Sequence, residues 1–221
     1  IKTGAGTLVL GATNTFTGPV SLQGGIVRQG VNTAFASAID LTITNAVLEV
    51  RYGLYNVNWI DAQSLTLGGG ATLRAASQYA ADNGDIGFKD TINVIGTNTV
   101  SATGGSYGKH NWLSGGMTGD AAAVVNLSNG AGYGAYADRR AIILESAFGN
   151  WTGYLGTIRA VNDVTIKGTV ELRNAKVIVD GTIGLYSNAS IGEFGELSGA
   201  GTLEANAKTG SEWKVGNLGT S

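Results

Sequence analysis

His110 is the single histidine of this 221-residue chain, so any proton relay at neutral pH that uses an unperturbed side chain has to pass through it. A Ser-His-Asp arrangement would pair it with Ser106 or Ser114 as nucleophile and Asp120 as the orienting acid. A loop histidine open to solvent is the simpler reading. One imidazole and no cysteine exclude a metal centre built on several imidazoles or on thiolates. Asp82, Asp85 and Asp90, with Asn83, offer oxygens that suit calcium, but they follow neither the EF-hand spacing nor the Gly-Gly-x-Gly-x-Asp calcium repeat. A carboxylate loop turned to water accounts for them. Glycan-cleaving chemistry needs paired carboxylates in a groove. Glu49 with Arg51, and Glu171 with Arg173, instead put an acid beside a base two residues away on one strand face, the pattern of a cross-rung salt bridge. Aromatic side chains are the better binding candidates. Tyr52, Tyr55 and Trp59 crowd together, Tyr107 and Trp112 share a glycine-rich stretch, and Trp151 and Tyr154 flank Gly153. Exposed rings of this kind stack on sugars or anchor protein contacts; rings that cap the ends of a stack are the structural alternative.

The elements that would position these groups are short. Glycine supplies 36 residues and proline one, with 43% apolar and 14% charged residues. Collagen requires glycine at every third position, and disorder requires fewer apolar and more charged residues, so neither fits. Net charge is −2, Arg139-Arg140 stands isolated, and no basic stripe exists to track nucleic acid or anionic lipid. No run of about 18 apolar residues is present to cross a bilayer as a helix. Zero cysteines exclude a disulfide scaffold and a thiol nucleophile. No motif requires a cofactor. The chain lacks an initiating Met and begins directly in a strand-like motif, which predicts a segment of something longer.

Apolar and polar residues alternate in short clusters such as Leu8-Val9-Leu10, Leu41-Thr42-Ile43, Val47-Leu48-Glu49-Val50, Leu65-Thr66-Leu67 and Ile92-Asn93-Val94. That alternation marks half-buried strands. The pair beginning at Leu41 and Val47 returns at Leu65 and Thr72, then at Ile92 and Thr99, an offset of about 25 residues typical of stacked repeats. Later clusters (Val164-Thr165-Ile166, Val170-Glu171-Leu172, Val177-Ile178-Val179, Ile183-Gly184-Leu185) are separated by Lys167-Gly168, Asn174-Ala175 and Asp180-Gly181. Such separators form tight hairpins or the corners of a parallel coil. The long-range repeat and the shortness of the clusters favour the coil over a sandwich. Stacking of roughly nine rungs at ~4.8 Å each would give a rod of about 45 Å. Asn14 and Asn45 are candidate corner residues bridging rungs. Tyr79 to Asp90 reads as a corner loop and Gly104 to Asp120 as a longer loop insertion, so residues 1–221 form a single all-β domain.

Lys2-Thr3-Gly4-Ala5-Gly6-Thr7-Leu8-Val9-Leu10, then Asn14-Thr15-Phe16-Thr17-Gly18 and Gly24-Gly25, resembles the passenger-associated repeat of bacterial autotransporters. A worn copy of the opening, Leu197-Ser198-Gly199-Ala200-Gly201-Thr202-Leu203, lies in a weaker echo over residues 194–218. The resemblance implies a right-handed parallel β-helix (solenoid), exported and displayed at the outer membrane, with its membrane-embedded barrel outside this segment. It implies a non-catalytic rod or adhesin-like stalk. A glycan-binding module using the aromatics above, and a polysaccharide lyase or hydrolase, are the alternatives. Partners expected on these readings are cell-surface glycans or proteins. No nucleic acid and no direct membrane insertion are expected. The unpaired strand edges at both ends of a coil predict end-to-end self-association.

Overall fold

The alternating clusters become strands because each buries one side-chain row and finds its backbone partners one lap of the chain away. The computed structural model describes residues 1–31, 34–35, 39–50, 58–60, 62–76, 86–103, 111–129, 142–185, 190–205 and 209–216; residues 58–60, 86, 103, 111, 112 and 129 are described by backbone alone. Among the described residues the strands fall into three sheets of ten, five and seven members, and every strand pairing is parallel. One lap runs from Ser64–Gly68 in the five-stranded sheet to Thr72–Ala76 in the ten-stranded sheet. It continues through Ile86–Phe88 in the seven-stranded sheet and back to Ile92–Ile95. Parallel partners a lap apart describe a β-solenoid, not facing antiparallel layers.

Register is kept along the axis. Thr7, Ile26, Val47, Thr72, Thr99, Asn126, Arg159, Ile178 and Ser198 stack in one column of the ten-stranded sheet. The adjacent column, Leu8, Val27, Leu48, Leu73, Val100, Leu127, Ala160 and Val179, faces inward. From Val27 to Val179 its members are 0–3% exposed, while Leu8 at the end is 43% exposed. Each fully buried Leu or Val here contributes about 1.5–3 kcal/mol of transfer free energy. Leu41, Leu65, Ile92 and Met117 line the core from the five-stranded sheet, and Leu144, Ile166 and Leu185 line it from the seven-stranded one.

The turn from the five-stranded to the ten-stranded sheet reuses one device, a residue at positive φ: Gly25, Asn45, Gly70 and Gly96. Asn45 is the only one of these that is not glycine. Its carboxamide oxygen lies under the next rung, where a Cβ on Gly70 would sit 2.2 Å away, so Gly70 is fixed by both its φ of 64° and its neighbour. The Asn14 side chain likewise bonds the carbonyl of Ala34 in the following lap at 3.0 Å.

Several local expectations are corrected. The stretch Gly104 to Asp120 is not one loop, because Asn111–Leu113 enters the seven-stranded sheet and Met117–Gly119 the five-stranded one. Tyr79 to Asp90 similarly contains the strand Ile86–Phe88. These strands are three residues long and carry Gly, Asn and Trp, so their sequence shows no clean alternation. Val170-Glu171-Leu172 and Val177-Ile178-Val179 are halves of one strand, Thr169–Val179, whose register shifts between Leu172 and Lys176. The two copies of the opening motif occupy different sheets: Thr7–Leu10 lies in the ten-stranded sheet and Thr202–Glu204 in the seven-stranded one.

Candidate functional site

The aromatic candidates separate into three groups. Trp151 and Tyr154 are 1% and 0% exposed, so neither offers a face to a ligand. The Trp151 indole donates to the carbonyl of Glu145 at 3.0 Å, and the Tyr154 hydroxyl donates to a carbonyl while lying within 3.1 Å of both Ala123 O and Thr157 O. Burial first, then the nearby Asp120 charge, push the Tyr154 phenol above its ordinary pKa. Among the described residues no full strand follows Met117–Gly119 in the five-stranded sheet; isolated bridges, Gly116 with Asn150 and Gly119 with Tyr154, continue the ladder. Both rings belong to the buried hydrophobic core. Trp59 and Trp112 lie at one register column of the seven-stranded sheet, each paired with Gly87 on opposite sides. Tyr52, Tyr55 and Tyr107 lie outside the described residues.

Acid–base chemistry finds no free carboxylate cluster among the described residues. Glu49, 4% exposed, sits between the guanidinium groups of Arg28 and Arg74, one rung away on either side. Arg173 contacts Glu171 at 2.8 Å and also binds Glu193 of the next rung, and Lys214 reaches Glu193 from the rung beyond at 3.1 Å. The same-face placement of Glu171 and Arg173 therefore makes a cross-rung ion ladder, as their spacing suggested. Burial pushes the Glu193 carboxyl upward, but hydrogen bonds and charge from Arg173 and Lys214 outweigh it and leave the pKa below the ordinary glutamate value. A glycosidase acid needs the opposite shift.

Ser114 is fully buried, and its hydroxyl donates to Glu145 at 2.7 Å, where Lys167 also pairs. Its oxygen is spent on packing. Gly104-Gly105-Ser106-Tyr107-Gly108 matches the Gly-x-Ser-x-Gly pattern, but an elbow of that kind opens a helix, and the strand Asn111–Leu113 follows here. Ser106 and His110 lie outside the described residues, as do Asp82 and Asp85. Asp90 accepts from the Ala62 amide at 3.2 Å. No group of three His, Cys, Asp or Glu is gathered for a cation among the described residues.

Two features went unread in the sequence. Asn98, 1% exposed, accepts from the amides of Gly69 and Ala71 and donates to the carbonyls of Ile95 and Gly96, which locks two rungs at their corner. Its placement one residue after Gly96-Thr97 was the available signal. The second is a cavity of about 290 Å³ at the end of the stack, lined by Ile1, Leu8, Leu10, Phe16, Val20 and Leu22 among others. Beside it the Lys2 ammonium donates to the carbonyls of Gly4 at 2.6 Å, Gly6 at 2.9 Å and Gly24 at 2.7 Å.

Residues 1–28 match the family model of the passenger-associated-transport-repeat. Neither a curated protein nor a solved structure matches the chain. The matched span covers the Lys2 clamp, the strands Thr7–Leu10 and Val20–Leu22 and the turn at Gly24-Gly25. The repeat and the parallel solenoid together fit an autotransporter passenger domain.

Proposed function

We propose that this chain is a non-catalytic passenger segment that serves as a stiff stalk, or adhesin-like support, at the bacterial surface. The observation that carries the reading is the unbroken inward column from Val27 to Val179, flanked by backbone ladders in constant register. Stiffness follows from that geometry. Bending the rod would open strand hydrogen bonds on one side and compress close-packed side chains on the other. The described charged groups favour a support over a catalyst, since the buried acids Glu49, Glu145 and Glu193 are each held by cations.

Surface display tests the stalk directly. An epitope fused to the Ile1 end, with the other end anchored to an outer membrane, should be reached by bulky antibodies. A Gly/Ser linker of equal residue number, being a flexible coil, should hold it lower on average. Equal accessibility in the two fusions would remove the stalk reading.

A glycan-binding role is the second reading, favoured by where the tyrosines fall in the sequence. The connections from the ten-stranded to the seven-stranded sheet in four successive laps are residues 51–57, 77–85, 104–110 and 130–141. They carry Tyr52, Tyr55, Tyr79, Tyr107, Tyr133 and Tyr136, six of the eight tyrosines in the chain. Tyrosines gathered in the sequence between the strands of a repeat stack are candidates for a binding face. A glycan array probed with the unaltered chain and with Tyr107→Ala and Trp112→Ala variants separates the readings. Binding lost in the variants supports this role, and no signal above background ends it.

A further inference from the structure

We propose that a notch on the outside of the ten-stranded sheet, where the strand Thr169–Val179 bulges, binds one uncharged sugar ring of a glycan. The inference goes beyond the stalk reading and uses none of the tyrosines. The bulge lies between two described rungs, Thr157–Ala160 and Ile191–Ser198. Leu172 pairs with Phe194 and Lys176 with Glu196, so Arg173, Asn174 and Ala175 stand opposite the single residue Gly195. Such a bulge interrupts the ladder and re-aims side chains. Its fit is close: a Cβ on Gly195 would lie 2.2 Å from the Arg173 carbonyl oxygen and 3.0 Å from that of Ala175, so glycine is required opposite it. The result is an open cavity of about 320 Å³. Leu155 of the preceding rung, then Arg173, Asn174 and Lys176, then Gly195 and Glu196 of the following rung line it. That volume lies at the small end of ligand pockets, which run from about 300 to 1,000 Å³, and suits a single ring.

The lining chooses the ligand. The Asn174 side-chain amide donates to the Thr152 carbonyl of the preceding lap at 3.0 Å, which fixes the carboxamide and leaves its oxygen to accept. Arg173 gives one donor to Glu193 and one to Glu171, out of the five that a guanidinium carries. Lys176 pairs with Glu196 at 2.8 Å and keeps further ammonium donors. Groups held in this way lose little freedom when a ligand binds. Both cations already face carboxylates, so no unbalanced charge draws an anion. What remains is a set of directed donors and an acceptor beside one apolar wall, Leu155, which is 50% exposed. Neighbouring hydroxyls on a pyranose ring donate and accept, while the C–H face of the same ring is apolar. An uncharged hexose matches both halves of the lining.

Amide NMR shifts of the isotope-labelled 221-residue chain, followed during titration, test the site. The probes are the methyl glycosides of glucose, galactose, mannose and N-acetylglucosamine, with glucuronate and inorganic phosphate as charged comparisons. At least one neutral glycoside should shift the amides of Asn174, Lys176, Gly195 and Glu196 saturably. A Kd on the order of 1 mM is expected for a ligand of so few atoms. Asn174→Ala should weaken that binding about tenfold through the lost acceptor. Lys176→Met, which removes donors from the opposite side, should also weaken it and replaces Asn174→Ala if circular dichroism shows lost strand content. Asn93→Ala is the control: Asn93 is exposed on the five-stranded sheet, and this variant should bind as the unaltered chain does. Shifts with the charged probes alone, no saturable shift at these amides far above that Kd, or an unchanged Kd in the folded variants would each overturn the site. Saturable shifts confined to other residues would remove it while leaving the tyrosine reading in place.

Discussion

Replacing Lys2 with methionine keeps the aliphatic stem and removes three hydrogen bonds from one ammonium to the carbonyls of Gly4, Gly6 and Gly24. The clamp uses all three ammonium donors. It ties the turn before Thr7–Leu10 to the turn that starts the next lap. Charge-assisted bonds of this kind are worth about 1.5–3 kcal/mol each when shielded. The bonds to Gly4 and Gly6 are exposed and the third is only part-buried, so water replaces much of what is lost. A net cost of about 2 kcal/mol is the working figure. In a stacked repeat each rung is coupled mainly to its neighbours, so the loss should stay local. Native-state hydrogen exchange should then show the amides of Thr7–Leu10 and Ile26 exchanging roughly 30-fold faster, at 1.4 kcal/mol per tenfold. Those of Leu65 and Leu67 should not change. Gly25→Ala should act at the same place, since its φ is 66° and a Cβ would lie 2.5 Å from the Lys2 nitrogen and 2.4 Å from the Gly6 carbonyl oxygen. Unchanged exchange at Thr7–Leu10, or equal acceleration throughout the chain, would refute the clamp.

Leu73→Ala removes a fully buried side chain from the middle of the inward column and should lower unfolding stability by about 3 kcal/mol in urea titrations. Asn98→Ala leaves the amides of Gly69 and Ala71 without their buried acceptor, and a comparable loss of about 3 kcal/mol is expected. For pH, the relevant group is Glu193, whose folded pKa is depressed by its cations. The unfolded chain binds that proton more readily, so the stabilisation is present above the ordinary glutamate pKa and is lost as pH falls through the lower folded value. Thermal midpoints measured down an acid series should fall less steeply for Glu193→Gln than for the unaltered chain.

Much of the architecture was readable in the residues, because a solenoid rung is a short-range pattern. Leu41-Thr42-Ile43 and Leu65-Thr66-Leu67 alternate cleanly, and their spacing equals the register by which Leu41 pairs with Leu65. The corner residue Asn45 was legible for a similar reason, since asparagine tolerates positive φ. Strands such as Asn111–Leu113 were hidden because the ladder can recruit any residue that a neighbouring rung holds in place. Trp151 and Tyr154 looked like exposed rings beside a glycine turn, yet they are core. That reversal depends on a lap that continues the five-stranded sheet through isolated bridges, and the burial the rings gain there is a property of the neighbouring rungs. The Glu171 and Arg173 pair was visible as a same-face pattern. Its partner Glu193 was not, because which rung lies alongside is set by the length of the intervening connection.

The most direct measurement is the distance between spin labels placed at Thr7 and Ser198, both exposed and both members of one outward column. The chain has no cysteine, so the two introduced thiols would be the only sites labelled. Eight parallel steps of ~4.8 Å separate these positions, which predicts a narrow distribution centred near 40 Å, broadened by the label arms. A centre near half that value, or a broad distribution without a peak, would mean that the laps do not climb in register along one axis.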